Sequence, residues 1–75
     1  MTIEQRLKDV FDDVLETGDD INPAKKRENY DNWDSLANVT LLMAINTEFG
    51  DVLGIEDIAE LDSFEKILNF ISTKI

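Results

Sequence analysis

The chain contains no cysteine and no histidine among its 75 residues. Without cysteine it has no disulfide, no thiolate metal ligand and no cysteine nucleophile. Without histidine it has no imidazole base and no side chain whose unperturbed pKa lies near neutrality. We therefore do not expect catalysis by this chain alone and predict that it is not an enzyme.

Basic residues are also scarce. The chain has seven lysines and arginines and 17 aspartates and glutamates, which gives a formal charge of −10. This charge disfavours nucleic acid and anionic membranes as partners and favours basic protein surfaces, but it also serves solubility alone. No apolar run approaches the roughly 18 residues of a membrane span, and the N-terminus lacks the basic-then-apolar order of a signal peptide. We expect a cytoplasmic protein that does not insert into membranes.

The chain length allows one domain, residues 1–75, with a small core. Apolar residues recur at helical spacing along most of the chain, and no segment alternates with period two for long enough to form a strand. Short loops favour antiparallel neighbours. We predict an all-α fold, an antiparallel four-helix bundle with three longer helices and one short third helix.

The first predicted helix begins at Thr2, which has capping-box spacing with Gln5, and ends at Gly18, which tolerates the left-handed conformation that closes a helix. Its apolar residues recur on one face. They are Ile3, Leu7, Val10, Phe11, Val14 and Leu15.

A polar connection, residues 19–34, follows. Structureless loops of this length are uncommon in compact domains, and this one is too apolar for a solvated linker, so we expect it to lie packed over the helices. Its apolar residues are Ile21, Pro23, Tyr30 and Trp33. The basic cluster Lys25-Lys26-Arg27 is interpreted as a solvated turn, with docking or internal charge pairing as the alternative.

The second predicted helix runs from Ser35 to Phe49 and ends at Gly50. One apolar line on it suits the core and consists of Leu41, Leu42, Ile45 and Phe49. A second line beside it consists of Leu36, Val39 and Met43. This second line either belongs to the core of a tightly wrapped bundle or forms a face that docks a partner.

Two further helices are predicted after the loop Gly50–Gly54. The third is short and spans Ile55–Leu61. Asp62 and Glu65 then repeat the capping spacing before a last helix that reaches the C-terminus. Its apolar residues recur at helical spacing and are Phe64, Ile67, Leu68, Ile71 and Ile75.

Asp34-Ser35-Leu36 enters the second helix. A serine at a helix start is ordinarily a cap, because its hydroxyl accepts a hydrogen bond from an unpaired backbone N–H. Here D-S-L follows a long connection and precedes a fifteen-residue apolar helix, and nearly the whole chain resembles the acyl carrier protein family. In that family this serine carries 4′-phosphopantetheine, so the resemblance implies that Ser35 is the attachment site, flanked by Asp34 and Leu36.

The resemblance also implies the chemistry and the partners. A phosphopantetheinyl transferase would modify the serine, and the monomeric phosphoprotein would carry acyl groups as thioesters between acyl-loading and acyl-accepting enzymes of lipid metabolism or fatty acid biosynthesis. The residues assigned on this basis to the partner surface or the acyl chain are Trp33, Leu36, Val39, Met43, Ile58, Ala59 and Leu61, with Phe49 as a further lining residue.

The second helix departs from the fatty-acid type of carrier, which usually bears acidic residues there. This chain has uncharged residues at those places, Ala37, Thr40, Asn46 and Thr47, and only Glu48 is charged. The departure implies a specialised carrier in a lipid, lipopolysaccharide, polyketide or related biosynthetic pathway.

Two alternatives come from other classes of protein. An acidic helical module that binds a basic partner, with no prosthetic group, explains the charge and the fold without using the D-S-L serine. A calcium-binding protein is disfavoured, because no segment has the spacing of an EF-hand loop. The acidic pairs Asp12-Asp13 and Asp19-Asp20 are interpreted as solvated faces, and no metal site is predicted.

Overall fold

The computed structural model describes residues 2–18 and 21–75. Within these ranges the chain forms four α-helices and no strand: α1 (Ile3–Leu15), α2 (Ser35–Phe49), α3 (Ile55–Glu60) and α4 (Phe64–Lys74). The predicted all-α class, with three longer helices and a short third one, is confirmed. None of the described helices combines the length and the apolar character that a membrane crossing requires. The predicted solvated pair Asp19-Asp20 lies outside the described residues, whereas Asp12 and Asp13 are exposed.

Helix α1 begins as predicted, because the Thr2 side chain accepts a hydrogen bond from the backbone N–H of Gln5 at 3.1 Å. It ends earlier than predicted. Glu16, with φ of 54°, adopts the left-handed conformation that closes the helix, although Gly18 also has a positive φ of 69°. The Glu16 N–H donates to the carbonyl of Asp12 at 2.9 Å. A non-glycine residue in that region is strained, so packing overrides the local preference here.

The predicted apolar face of α1 forms the centre of the core. Leu7, Val10, Phe11 and Leu15 are buried, and Ile3 and Val14 are half-buried. The ring of Phe11 contacts two other core aromatics edge to face, one at 5.4 Å and the other at 5.0 Å between centroids. These are Trp33, from the connection, and Phe64, from the start of α4.

Contacts at both ends of α1 show that α1 and α2 are antiparallel. Near the start of α1, Arg6 pairs with the Glu48 carboxylate at 2.9 Å and donates to the Glu48 carbonyl at 2.7 Å, in the last turn of α2. At the other end, Asn32 donates to the carbonyl of Leu15 at 2.6 Å, just before α2 begins. A cation beside the carboxyl end of a helix is favourable, although a partly exposed pair contributes only about 0–1 kcal/mol.

The connection between α1 and α2 packs over the helices, as predicted. Ile21 and Trp33 are buried and Tyr30 is half-buried, but Pro23 is exposed. Two backbone hydrogen bonds join it to the start of α4. The Arg27 N–H donates to the carbonyl of Asp62, just before α4, and the Glu65 N–H, in the first turn of α4, donates to the carbonyl of Pro23. A short 3₁₀ helix, Arg27–Asn29, lies within it.

The basic cluster of this connection is mostly solvated, as predicted, but it is not a simple turn, because Lys26 forms a β-bridge with Ser63 and its charge helps to lower the pKa of the Asp62 carboxyl. Lys25 and Lys26 are exposed, and Arg27 is half-buried. The Lys25 ammonium lies 4.5 Å from the centroid of the Tyr30 ring, a cation–π contact.

The start of α4 differs from the prediction. Ser63, and not Asp62, is the N-cap, and its side chain accepts a hydrogen bond from the N–H of Lys66 at 3.2 Å. Asp62 pairs instead with the Lys66 ammonium at 2.9 Å, and this contact lowers the pKa of the Asp62 carboxyl. Two boundary predictions were also wrong at this end of the chain: α3 ends before Leu61, and the side chain of Ile75 is exposed because it lies beyond the last turn of α4.

The melting temperature should rise with ionic strength, because like-charge repulsion opposes folding of a small chain with a charge of −10. Salt screens such repulsion over about 8–10 Å at moderate ionic strength. Thermal melts across sodium chloride and magnesium chloride series would measure the effect, which should be nonspecific. A melting temperature indifferent to both salts would mean that the acidic residues are compensated locally by Lys25, Lys26, Arg27 and their neighbours.

Candidate functional site

Ser35 is the first residue of α2, and it is exposed. The cap of this helix is Asp34, whose Oδ1 accepts a hydrogen bond from the N–H of Ala37 at 2.8 Å. The ordinary role of a serine at a helix start is therefore filled by its neighbour. The Ser35 hydroxyl stands at the surface with no capping function.

The amino end of α2 also sets the electrostatics around this hydroxyl. The first N–H groups of a helix have no partner within it, and they form the positive end of the helix dipole. The carboxylate of Asp34 takes up one of these donors, and the first turn of α2 contains no acidic residue. The end of the helix dipole favours an anion bonded to the serine oxygen, and the like charge of the Asp34 carboxylate opposes it.

Three consecutive side chains anchor the backbone that leads to this serine. Asn32 donates to the carbonyl of Leu15 at the end of α1. Trp33 donates its indole N–H to Oδ1 of Asn38 at 2.9 Å, and Asp34 caps α2. The junction is held to α1, to a side chain of α2 and to the backbone of α2.

Trp33 was predicted to lie on the partner or acyl-chain surface, but the structure places its side chain away from the surface. Its side chain is only 4% exposed. The indole lies edge to face with Tyr30 at 5.2 Å and with Phe11 at 5.4 Å, so it belongs to the core. Burial raises the pKa of the Tyr30 phenol, which stays neutral at physiological pH.

The second apolar line of α2 lies at the surface, which excludes the alternative that it belongs to the core. Leu36 is 77% exposed, Met43 is 65% exposed and Val39 is 44% exposed. Thr40 and Thr47 are exposed as well, and each hydroxyl donates to the carbonyl four residues earlier in α2. We call Leu36, Val39 and Met43 the exposed α2 face.

The other residues assigned to the acyl chain or the partner surface do not lie together. Ile58 is buried in the core, Ala59 is exposed, and Leu61 and Phe49 are half-buried. Ile58 is therefore not available to a partner at the surface. A cavity of about 440 Å³ lies between the end of α1 and the connection, and none of the residues predicted to line an acyl pocket borders it.

Asn46 has a role that sequence reasoning missed. Its amide nitrogen donates to the carbonyl of Leu53 at 2.8 Å, and its oxygen accepts from the N–H groups of Leu53 and Val52 at 2.9 and 3.2 Å. The side chain thus shapes the loop between α2 and α3. A carboxylate at this position could not donate to the Leu53 carbonyl, so an acidic residue here would lose that contact.

No protein-family model matches this chain, and no curated protein matches it. Within residues 2–18 and 21–75, no group of three or more histidine, cysteine, aspartate or glutamate side chains is placed to hold a metal ion. The functional assignment therefore rests on the D-S-L residues and on the geometry around them.

Proposed function

We propose that this chain is an acyl carrier protein whose Ser35 is the attachment site of 4′-phosphopantetheine. The observation that carries the proposal concerns two neighbouring residues at the start of α2. Asp34 caps the helix, and Ser35 beside it presents an exposed hydroxyl with no capping function. In this proposal the fold is that of the carrier family, and the chain is a transferase's substrate and not an enzyme.

The residues at the site fit the group. Attachment joins the Ser35 oxygen to the phosphorus of the arm, and the remainder of coenzyme A leaves. The proton of the hydroxyl passes to a base of the phosphopantetheinyl transferase, because this chain has no histidine to receive it. The resulting phosphodiester lies at the amino end of α2, where an anion is stabilised by about 0.3–1 kcal/mol.

When bound, the arm supplies a terminal thiol that holds an acyl group as a thioester. The chain's own contribution is to present that thioester at a fixed place beside a docking surface, which raises its effective concentration at a bound enzyme. The exposed α2 face begins next to Ser35 and is suited to this role. We propose that it docks the transferase and the acyl-loading and acyl-accepting enzymes, as part of a monomeric, cytoplasmic carrier.

The same face indicates a specialised carrier. From Ser35 to Thr47, α2 contains no charged residue although the chain carries −10 overall. Partners of this face are accordingly recognised more by apolar contact than by charge. We propose a role in a specialised lipid, lipopolysaccharide, polyketide or related pathway.

The proposal is tested most simply by the intact mass of the protein produced in cells that contain a phosphopantetheinyl transferase. A carrier should show a covalent addition of one phosphopantetheine group on one serine. The proposal would be contradicted if the protein stays wholly unmodified, both in such cells and after treatment with a broad-specificity transferase and coenzyme A.

Met43→Ala should weaken binding to the cognate enzyme by about 1 kcal/mol or more, because an exposed apolar side chain of the docking face becomes buried on binding. Raising the salt concentration should weaken binding only modestly. Titrations of wild type and variant at low and moderate salt would measure both effects. Ile75→Ala, which removes an apolar side chain of similar exposure away from α2, is the matched control.

The melting temperature of the Met43 variant should stay close to that of wild type, since the side chain is 65% exposed. Affinity that collapses between low and moderate salt, with normal binding by the Met43 variant, would show that acidic residues steer the partner.

A second candidate is an acidic helical interaction module without a prosthetic group. It is supported by the exposed α2 face, which requires no modification of Ser35 to bind a partner. Partner binding that persists in a chain that no transferase modifies would favour this candidate.

A further inference from the structure

We propose that Trp33 and Asn38 are positioning residues for the modification of Ser35. Their buried hydrogen bond holds the start of α2 so that the transferase meets a serine whose position is already fixed. The inference rests on the proposed function and extends it to residues that do not touch the reacting atoms.

The hydrogen-bonded pair flanks the serine in the sequence. The hydrogen bond from Trp33 Nε1 to Asn38 Oδ1 is 2.9 Å long and joins two side chains that are 4% and 8% exposed. It closes the segment 33–38, in which Ser35 lies two residues after one partner and three before the other. Residues three apart on a helix are neighbours, so Asn38 lies one turn along α2 from the serine.

The donor and acceptor groups of the pair fix the orientation of the Asn38 amide. An indole N–H is a donor only, so the amide oxygen of Asn38 must face it. Because the bond is buried, water does not compete for it as it does for the exposed contact between Asp34 and Ala37. The buried bond is therefore the link that ties the orientation of the junction to the core.

The core side of this link is equally well defined. The indole of Trp33 lies edge to face with both Tyr30 and Phe11, and Phe11 is completely buried. Movement of the junction would disturb this packing. A fixed junction holds the attacking oxygen in line for reaction.

A purely structural role makes a different prediction from a positioning role. If the pair only stabilises the fold, its loss changes the melting temperature and leaves the modification kinetics of the folded protein as they were. If it positions the serine, the turnover number for modification falls while KM stays close to wild type, because the exposed α2 face is intact.

The test is the double variant Trp33→Phe/Asn38→Leu. It replaces both partners by apolar side chains, which avoids leaving one buried polar group unpaired. Apo protein would be modified by a broad-specificity transferase with coenzyme A, at a temperature where thermal melts show both proteins to be folded. We expect kcat to fall about tenfold, with little change in KM, because misplacement of a reacting group is costly in rate.

Asn38→Asp is the conservative variant, because its carboxylate keeps an acceptor oxygen for the Trp33 N–H. With this variant as substrate, the kcat of the transferase should stay close to its wild-type value. A folded double variant with wild-type kcat, or one in which only KM rises, would overturn the inference.

Hydrogen exchange separates failure of this inference from failure of the proposed function. The backbone amides of Ala37 and Asn38, which are hydrogen-bonded to Asp34, should exchange faster in the double variant, while those of α4 should not change. If wild-type protein is not modified at all, the carrier proposal fails, and equal exchange in the two proteins would overturn the positioning role independently.

Discussion

Ser35→Ala should abolish the gain in mass that the wild-type protein shows on incubation with a phosphopantetheinyl transferase and coenzyme A. The substitution removes the only atom that can form the phosphodiester at this position. It should leave the fold intact, because Ser35 is exposed and Asp34 retains the capping hydrogen bond of α2. Intact-protein mass spectrometry measures the result, and a thermal melt confirms folding.

The matched control is Ser72→Ala, since Ser72 is also an exposed serine within a helix, and its hydroxyl donates only to a carbonyl of its own helix. This variant should gain the same mass as wild type. Ser63 is a poorer control, because its side chain caps α4 and its loss costs about 1 kcal/mol of stability. A mass gain that survives Ser35→Ala would eliminate Ser35 as the attachment site.

Phe11→Ala should remove a large part of the protein's free energy of unfolding. Phe11 is fully buried and its ring contacts the rings of both Trp33 and Phe64, so the substitution opens a cavity where the connection and α4 meet α1. Replacing a buried phenylalanine by alanine costs about 3–5 kcal/mol. At about 0.05–0.15 kcal/mol per residue, a chain of 75 residues has only about 4–11 kcal/mol in total.

Urea titration followed by circular dichroism would show a large fall in the unfolding midpoint. Phe70→Ala is the control, because Phe70 lies on α4 but is only half-buried. It should shift the midpoint much less. A Phe11 variant that melts at the wild-type temperature would mean that the three-ring cluster is not the centre of the core.

Helix α2 shows how much could be predicted where local signals agree. Asp34 supplies a cap, the apolar pattern supplies fifteen residues, and Gly50 adopts a positive φ of 91° that suits glycine. The predicted bounds, Ser35 to Phe49, are confirmed. The exposed position of Ser35 at the start of this helix follows from the same local signals.

The ends of α1 and α4 show where local signals failed. Gly18 and Asp62 have the residue types that predict an end and a cap, but Glu16 and Ser63 occupy those places. Several residues in a row are chemically able to cap or end a helix. The choice among them depends on which register buries the apolar face, and that is a property of the packed molecule.

By itself, the sequence determined the helical class, the bounds of α2 and the D-S-L serine at its start, because these depend on residues close together in the chain. The tertiary structure alone decided that Leu36 and Met43 are exposed while Trp33 is buried. Both kinds of side chain are apolar, and periodicity does not distinguish the face that meets α1 from the face that meets water. The indole is buried because Asn38 satisfies its N–H and its ring packs edge to face on Tyr30 and Phe11. Of these residues Phe11 lies in another helix, far from Trp33 in the chain.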